Sequence, residues 1–290
     1  MAGKKYFILW VEEVRIRHWI KNVLVFVPAF FTLQIYKSVT DVHLIFAFIS
    51  FCLSSSLVYL INDLQDIEAD KLTPNNKDRP YAAGRLSNKQ MYRMIFFLSL
   101  LLIIAMVIIG IWLPFIVYII INFMYTFYLK KIAILDILVI CLGFELRIWA
   151  GAEAINVVLS PWLISMVFFL ALFLVLSKRK ADVIQFSKSQ IVSRENISFY
   201  KKLPLQTILY IVAIIIFLLY LTYCFSPEIK TRLSNRIYLS SVFVAMGLAR
   251  YLYLILVKYV SMYPTDIIWK DFWLQAIFLV WIASLFMLIY

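Results

Sequence analysis

Residues Asn62–Ser87, NDLQDIEADKLTPNNKDRPYAAGRLS, follow directly on the apolar run Val42–Ile61, VHLIFAFISFCLSSSLVYLI. That run has the length a helix needs to cross a bilayer, about 20 residues. The stretch after it gathers five acids and four bases in a chain that is 64% hydrophobic. Together they read as a membrane helix ending in a charged site at the water boundary. Continued as a helix, Asn62, Asp63, Asp66 and Asp70 fall within an arc of about 100°, whereas Glu68 points away. One amide and three carboxylates then share a wall. Oxygen donors at that density suit a hard cation such as Mg2+, which is commonly held by one or two carboxylates together with substrate phosphates. Lys77, Arg79 and Arg85 follow, placed to hold the rest of a phosphorylated ligand. A solvated helix end is the competing reading, since charge runs alone say little. Helical spacing of the acids at a membrane boundary favours the site.

Composition sets the class. With 290 residues, only 15% of them charged, and a mean hydropathy of +0.91, the chain is too apolar for an ordinary soluble protein. Its apolar runs have helical lengths, so an all-α, polytopic integral membrane protein is expected rather than a β-barrel. The net charge of +12 is compatible with nucleic acid, anionic lipid or an anionic substrate. No basic tail or aromatic-interleaved soluble module accompanies it, which argues against nucleic acid. Cys52, Cys141 and Cys224 lie inside expected spans without metal-ligand spacing and read as small apolar residues. No cleavable signal is expected: the apolar patch Tyr6–Val11 is short and runs into Glu12, Glu13, Arg15 and Arg17.

Read in order, residues 1–22 form an amphipathic interfacial segment, and about nine spans follow, near 23–36, 43–61, 94–112, 114–129, 132–155, 160–177, 205–225, 237–257 and 272–290. One domain, 1–290, is expected, with 62–93 and 178–204 as loops of the active site. Pro28, Pro114 and Pro161 stand at or near span starts, where a missing N–H costs least. Outside the spans, 22 of the lysines and arginines fall on the side of the N-terminus and four on the other. By the positive-inside rule the N-terminus and the acidic wall are cytoplasmic, in the cell membrane, and the C-terminus is outside.

Three further groups share the side of the acidic wall. Arg15, Trp19, Lys21 and Asn22 stand at the mouth of the first span; ordinary interfacial anchoring would also explain them. Asp136, Glu145 and Arg147 interrupt an apolar helix, a costly placement that marks a bundle interior or wet cavity. Asp136 lies near the cytoplasmic end. Arg147 lies about 16 Å deeper, either touching a ligand or neutralised by Glu145 or a distant acid. The third group is SKRKADVI, Ser177–Ile184, with Lys178, Arg179 and Asp182. Only His18 and His43 exist, and His43 falls on the other side, so a histidine base has little support. No P-loop or dinucleotide fingerprint is present. What remains is a metal-and-base clamp for a diphosphate leaving group.

NDLQDIEAD resembles the N-D-x-x-D-x-x-x-D motif of the UbiA superfamily of intramembrane prenyltransferases. RIRHWIKN, DKLTPNNKDRPYAAGRLS, LDILVICLGFELRIWAGA, LSKRKAD, ARYLYLI and WKDFWLQ resemble the decaprenyl-phosphate phosphoribosyltransferase branch, through nearly the whole length. Departures are Ile16 where that branch usually has Pro, Asp182 where it usually has Glu, and a second acidic motif reduced to Asp136, with Ile140 four residues on. The resemblance implies a nine-helix UbiA-like bundle in which Mg2+, held by Asn62, Asp63, Asp66 and Asp70, grips the diphosphate of phosphoribosyl pyrophosphate. Lys21, Lys77, Arg79, Lys178 and Arg179 would hold its phosphates, joined by Tyr128 and Lys130, with Asp136 and Arg147 also on the substrate side. A polyprenyl phosphate would attack ribose C1, its tail leaving through a lateral gap. Rival expectations are transfer of an isoprenyl chain to an aromatic or other small acceptor, and a cation or polyprenyl-lipid transporter. The oligomeric state, a homo-oligomer included, is left open.

Overall fold

The computed structural model describes residues 2–32, 42–72, 76–189, 196–226, 229, 236–258, 262 and 264–289, and all of its regular elements are helical. The chain divides into two compact units, Met1–Leu159 and Ser160–Tyr290.

In the first unit, α1 (Ala2–Glu13) is followed by a 3-10 helix, Ile16–Phe26, and by the short α2 (Val27–Phe31). Arg15 makes the joint between α1 and the 3-10 helix with a left-handed backbone, φ 57°, a region that non-glycine residues seldom occupy. The first expected span is therefore a 3-10 helix running into a single turn of α-helix; its residues 33–36 lie outside those described. Next come α3 (Val42–Gln65), α4 (Ile67–Leu72), α5 (Asn88–Ile109), α6 (Leu113–Phe127) and α7 (Leu135–Ala154). The expected acidic helix bends at Asp66, yet the Asp66 amide still bonds Asn62 O and the Asp70 amide Asp66 O, both at 2.8 Å. Helical spacing thus survives the bend.

Local chemistry explains the ends of these helices. Ser87 and Gln90 form a reciprocal capping box that starts α5 six residues before its expected span, and Gly110 stops it at φ 67°. Pro114 opens α6. Helix α3 is the central strut, since Leu44, Phe51 and Leu60 are fully buried against Met91 and Met94 of α5 and Phe115 of α6. Gly151 lets α7 approach the 3-10 helix: a Cβ there would stand 1.9 Å from the carbonyl oxygen of Val25. Close backbone approach at small residues is how membrane helices gain packing energy without a hydrophobic driving force.

In the second unit, α8 (Pro161–Ser189) is followed by α9 (Ile197–Lys202), α10 (Leu205–Phe225), a 3-10 turn (Ile237–Ser240), α11 (Ser241–Tyr253) with a π-helical extension (Leu254–Lys258), α12 (Pro264–Lys270) and α13 (Phe272–Ile289). Helix α8 carries straight on through Lys178–Asp182, where a loop is expected from the sequence. ARYLYLI and WKDFWLQ meet here: Arg250 forks onto Asp271 at 3.1 and 2.7 Å, and Asp271 also caps α13 through the Leu274 amide at 2.9 Å. Those bonds hold the Asp271 carboxyl below the usual range.

Five helices are long and apolar enough to cross a membrane, Val42–Gln65, Asn88–Ile109, Pro161–Ser187, Leu205–Phe225 and Ile237–Lys258; Leu113–Phe127 and Phe272–Leu288 are shorter apolar helices. Helix α7 occupies the expected fifth span, Leu135–Ala154, while carrying Asp136, Glu145, Arg147 and Glu153. The chain is a multi-pass membrane protein.

Candidate active site

The acidic wall is built from the end of α3 and from α4. Asp63 is only 4% exposed, and both of its carboxylate oxygens accept from Nη2 of Arg15. The left-handed joint at Arg15 turns the chain there from α1 into the 3-10 helix. The Arg15 guanidinium also lies 4.7 Å from the centre of the Tyr59 ring, a cation–π contact. Nη1 of Arg79 lies 3.1 Å from Asp63 Oδ1 and 2.6 Å from Asp70 Oδ2, and Asn76 donates to the other Asp70 oxygen at 2.7 Å. Asp63 and Asp70 are therefore bridged by one cation.

Asn62 and Asp66 face elsewhere. The Thr126 hydroxyl of α6 donates to Asn62, and Lys130, in the 3-10 turn Leu129–Lys131, pairs with Asp66. The wall expected as one surface is thus divided: Arg15 and Arg79 hold Asp63 and Asp70, while Thr126 and Lys130 hold Asn62 and Asp66. Its donor chemistry fits Mg2+: anionic oxygens of Asp63 and Asp70 already converge on a single positively charged nitrogen, and hard oxygens are what this ion takes. Among the described residues, no three carboxylates, histidines or thiols are gathered closely enough to hold a metal by themselves. A metal there would depend on substrate oxygens, as Mg2+ commonly does.

Glu13, at the end of α1, joins this cluster. It is 2% exposed, one oxygen accepts the Tyr81 amide at 3.2 Å, and the other has no hydrogen-bond partner among the described residues. Burial, then the negative charge of Asp63, push its carboxyl up to about 7. Glu12 beside it lies 3.8 Å from Arg85, so the end of α1 grips the segment that carries Arg79. Sequence reasoning missed Glu13 and Thr126. An acid directly after an apolar patch was a visible signal for Glu13; nothing marked Thr126.

A second polar layer lies along the 3-10 helix. Trp19 donates to Ser56 Oγ at 3.0 Å, and Asn22 to Ser55 Oγ at 3.2 Å. Asn22 accepts from Nε of Arg147 at 2.8 Å; Arg147 also donates to Gly143 O and, at 3.3 Å, to the Tyr118 hydroxyl. The rings of Phe51 and Tyr118 lie 5.3 and 5.0 Å from its guanidinium carbon. Glu145 does not neutralise it, and among the described residues all its partners are uncharged. Burial and then Arg147 pull the Lys21 ammonium down to about 8.

Of the remaining expected residues, Lys77 and Tyr128 are exposed and Asp136 is buried in the first turn of α7. In the second unit Lys178 is half-buried, and the buried Arg179 pairs with Asp182 at 3.0 Å and lies over the Tyr200 ring.

The sequence model of the UbiA prenyltransferase family matches residues 23–261. The chain belongs to that family. It is 31% identical to the decaprenyl-phosphate phosphoribosyltransferase of Mycolicibacterium smegmatis, over 97% of this chain and 92% of the relative. It is 28% identical to the protein of that name from Mycobacterium tuberculosis, over 94% and 92%. Among solved structures, a UbiA homolog from Archaeoglobus fulgidus bound to GPP and Mg2+ superposes with a TM-score of 0.69 at 18% identity, covering 97% of this chain and 99% of that one. A structure of digeranylgeranylglyceryl phosphate synthase gives a TM-score of 0.65 at 14% identity, with 98% of each chain covered. This family member is an enzyme, a membrane-embedded transferase with the UbiA fold.

Proposed function

We propose that the protein transfers 5-phosphoribose from phosphoribosyl pyrophosphate to a polyprenyl phosphate of the decaprenyl type, releasing pyrophosphate, with Mg2+ as cofactor, on the cytoplasmic side of the cell membrane. One observation carries the reading: Arg79 bridges Asp63 and Asp70 beside the Arg15–Asp63 pair. Alternating carboxylates and guanidiniums can exchange internal pairs for a diphosphate and its divalent ion with little change in buried charge. Similarity to phosphoribosyltransferases along nearly the whole chain supports a ribosyl donor over an isoprenyl one.

Asn62, Asp63, Asp66 and Asp70 are the residues that would hold Mg2+, which supplies positive charge against the leaving diphosphate. Arg79, Lys21 and Lys77 bind and orient the donor's phosphates, joined by Tyr128 and Lys130, with Asp136 and Arg147 also on the substrate side. An oxygen of the lipid phosphate forms the new bond to ribose C1 while the bond from C1 to the diphosphate oxygen breaks, and pyrophosphate leaves with the electron pair. The attacking oxygen is already ionised, so no general base is needed.

Purified protein given both substrates and Mg2+ is expected to release pyrophosphate and form a lipid-linked phosphoribose, with Asp66→Ala inactive. Prenylation of an aromatic acceptor instead would establish the rival transferase, and lipid or cation flux across vesicles without product would establish a transporter.

A further inference from the structure

The segment that carries Arg79 is folded tightly on itself. Pro80 O accepts the amides of Arg85 and Leu86 at 2.8 and 3.2 Å, and Arg79 O accepts that of Ala83 at 2.8 Å. With the carbonyls of two successive residues tied off inside one turn, Arg79 and Tyr81 are held as a single piece. Whatever fixes Tyr81 therefore fixes the root of the Arg79 side chain.

Tyr81 is fixed from two sides. Its hydroxyl donates to Asn88 at the start of α5 at 3.0 Å, and its amide leaves the turn for Glu13, 68 positions earlier in the chain. The buried rings and side chains of Tyr81 and Leu86 share a cluster with Leu9 and Val14 at the end of α1. Two residues beyond Glu13, the left-handed joint turns Arg15 onto Asp63. Within three residues the end of α1 thus holds Asp63 through Arg15 and the Arg79 turn through Glu13. The 3.1 Å between Arg79 and Asp63 is set from this one place. The neighbouring pair of Glu12 with Arg85, 3.8 Å apart and half exposed, contributes little by comparison.

We propose that Glu13 is a positioning residue for the donor: by accepting the Tyr81 amide it seats the turn 79–86 against α1 and holds the Arg79 guanidinium where the leaving diphosphate binds. This role rests on the function proposed above and assigns to that reaction a side chain that touches no substrate. What Glu13 supplies is an acceptor oxygen at one place, which an uncharged amide of the same shape also supplies.

Full-length Glu13→Gln and Glu13→Leu, each with and without Arg79→Ala, are compared in nanodiscs with donor and acceptor varied in turn. Glutamine still accepts the amide; leucine, of similar size, does not. Glu13→Leu should raise the donor KM about tenfold while kcat and the acceptor KM move less than about threefold, and Glu13→Gln should stay within about threefold throughout. In the Arg79→Ala background Glu13→Leu should change nothing further, because its effect passes through that side chain. If Glu13→Leu does not fold, Glu13→Ala carries the same expectations. Equal, additive losses in both backgrounds, or a fall in kcat alone that follows the folded fraction, make Glu13 structural and overturn the proposal. A loss in Glu13→Gln as deep as in Glu13→Leu also overturns it, since the charge itself is then required. Should the unaltered protein make no lipid-linked phosphoribose, the proposed function falls, and the same cycle read on affinity for pyrophosphate with Mg2+ decides whether Glu13 acts through Arg79.

Discussion

The guanidinium of Arg79 lies 2.6 Å from the carboxylate of Asp70, nine residues earlier in the chain, and with the same nitrogen reaches Asp63. A single side chain thus ties the end of α3 to α4 and to the loop that follows. Replacing Arg79 by Ala leaves two buried carboxylates short of a cation and removes a donor to phosphate, so kcat/KM for phosphoribosyl pyrophosphate should fall at least tenfold to a hundredfold. Steady-state kinetics with varied donor measure this; an unchanged value would place the donor away from Arg79.

Chelation supplies a second expectation. With EDTA the enzyme should lose all turnover and regain it on addition of excess Mg2+, because Asp63 and Asp70 lack enough negative charge after pairing to hold the ion without the donor's oxygens. Calorimetry should accordingly detect Mg2+ far more tightly bound when the donor is present.

Glu13 gives the protein a pH-dependent stability. Its carboxyl is pushed up to about 7 from an ordinary 4.5, so between those values the folded chain keeps a proton that the unfolded chain has lost. Stability therefore falls as pH rises through that window and levels off above it. Thermal unfolding followed from pH 5 to pH 8 should show this decline, and Glu13→Gln should flatten it while preserving an acceptor for the Tyr81 amide.

Arg147 separates support from recognition. Among the described residues its partners Asn22, Gly143 and Tyr118 are all neutral, so Arg147→Met removes a costly unpaired buried charge while leaving three acceptors without their donor, two effects of opposite sign on stability. The variant should keep its melting temperature within a few degrees and lose turnover at least tenfold. Loss of folding with normal specific activity in the surviving fraction would make Arg147 a structural residue only.

Gly151 is expected to tolerate no side chain. A Cβ would meet the Val25 carbonyl oxygen at 1.9 Å, and relieving that overlap means moving α7 from the 3-10 helix that holds Trp19, Lys21 and Asn22. Gly151→Ala should cost about 1–3 kcal/mol, read as a lowered unfolding midpoint in detergent.

Much of this protein could be read from residue order alone. Apolar runs of spanning length gave the helices, because a bilayer leaves a chain few other ways to satisfy its backbone. Helical spacing put Asn62, Asp63, Asp66 and Asp70 near one another, and the chain-long motifs pointed to the family. Tertiary structure decided what those residues touch. Arg15 meets Asp63 across 48 positions and Lys130 meets Asp66 across 64, and no periodicity reports pairings between distant segments. The same holds for Glu13, whose burial depends on the Tyr81 loop folding over it. Periodicity is a property of one helix; the charge state and partners of a buried side chain belong to the several helices that enclose it.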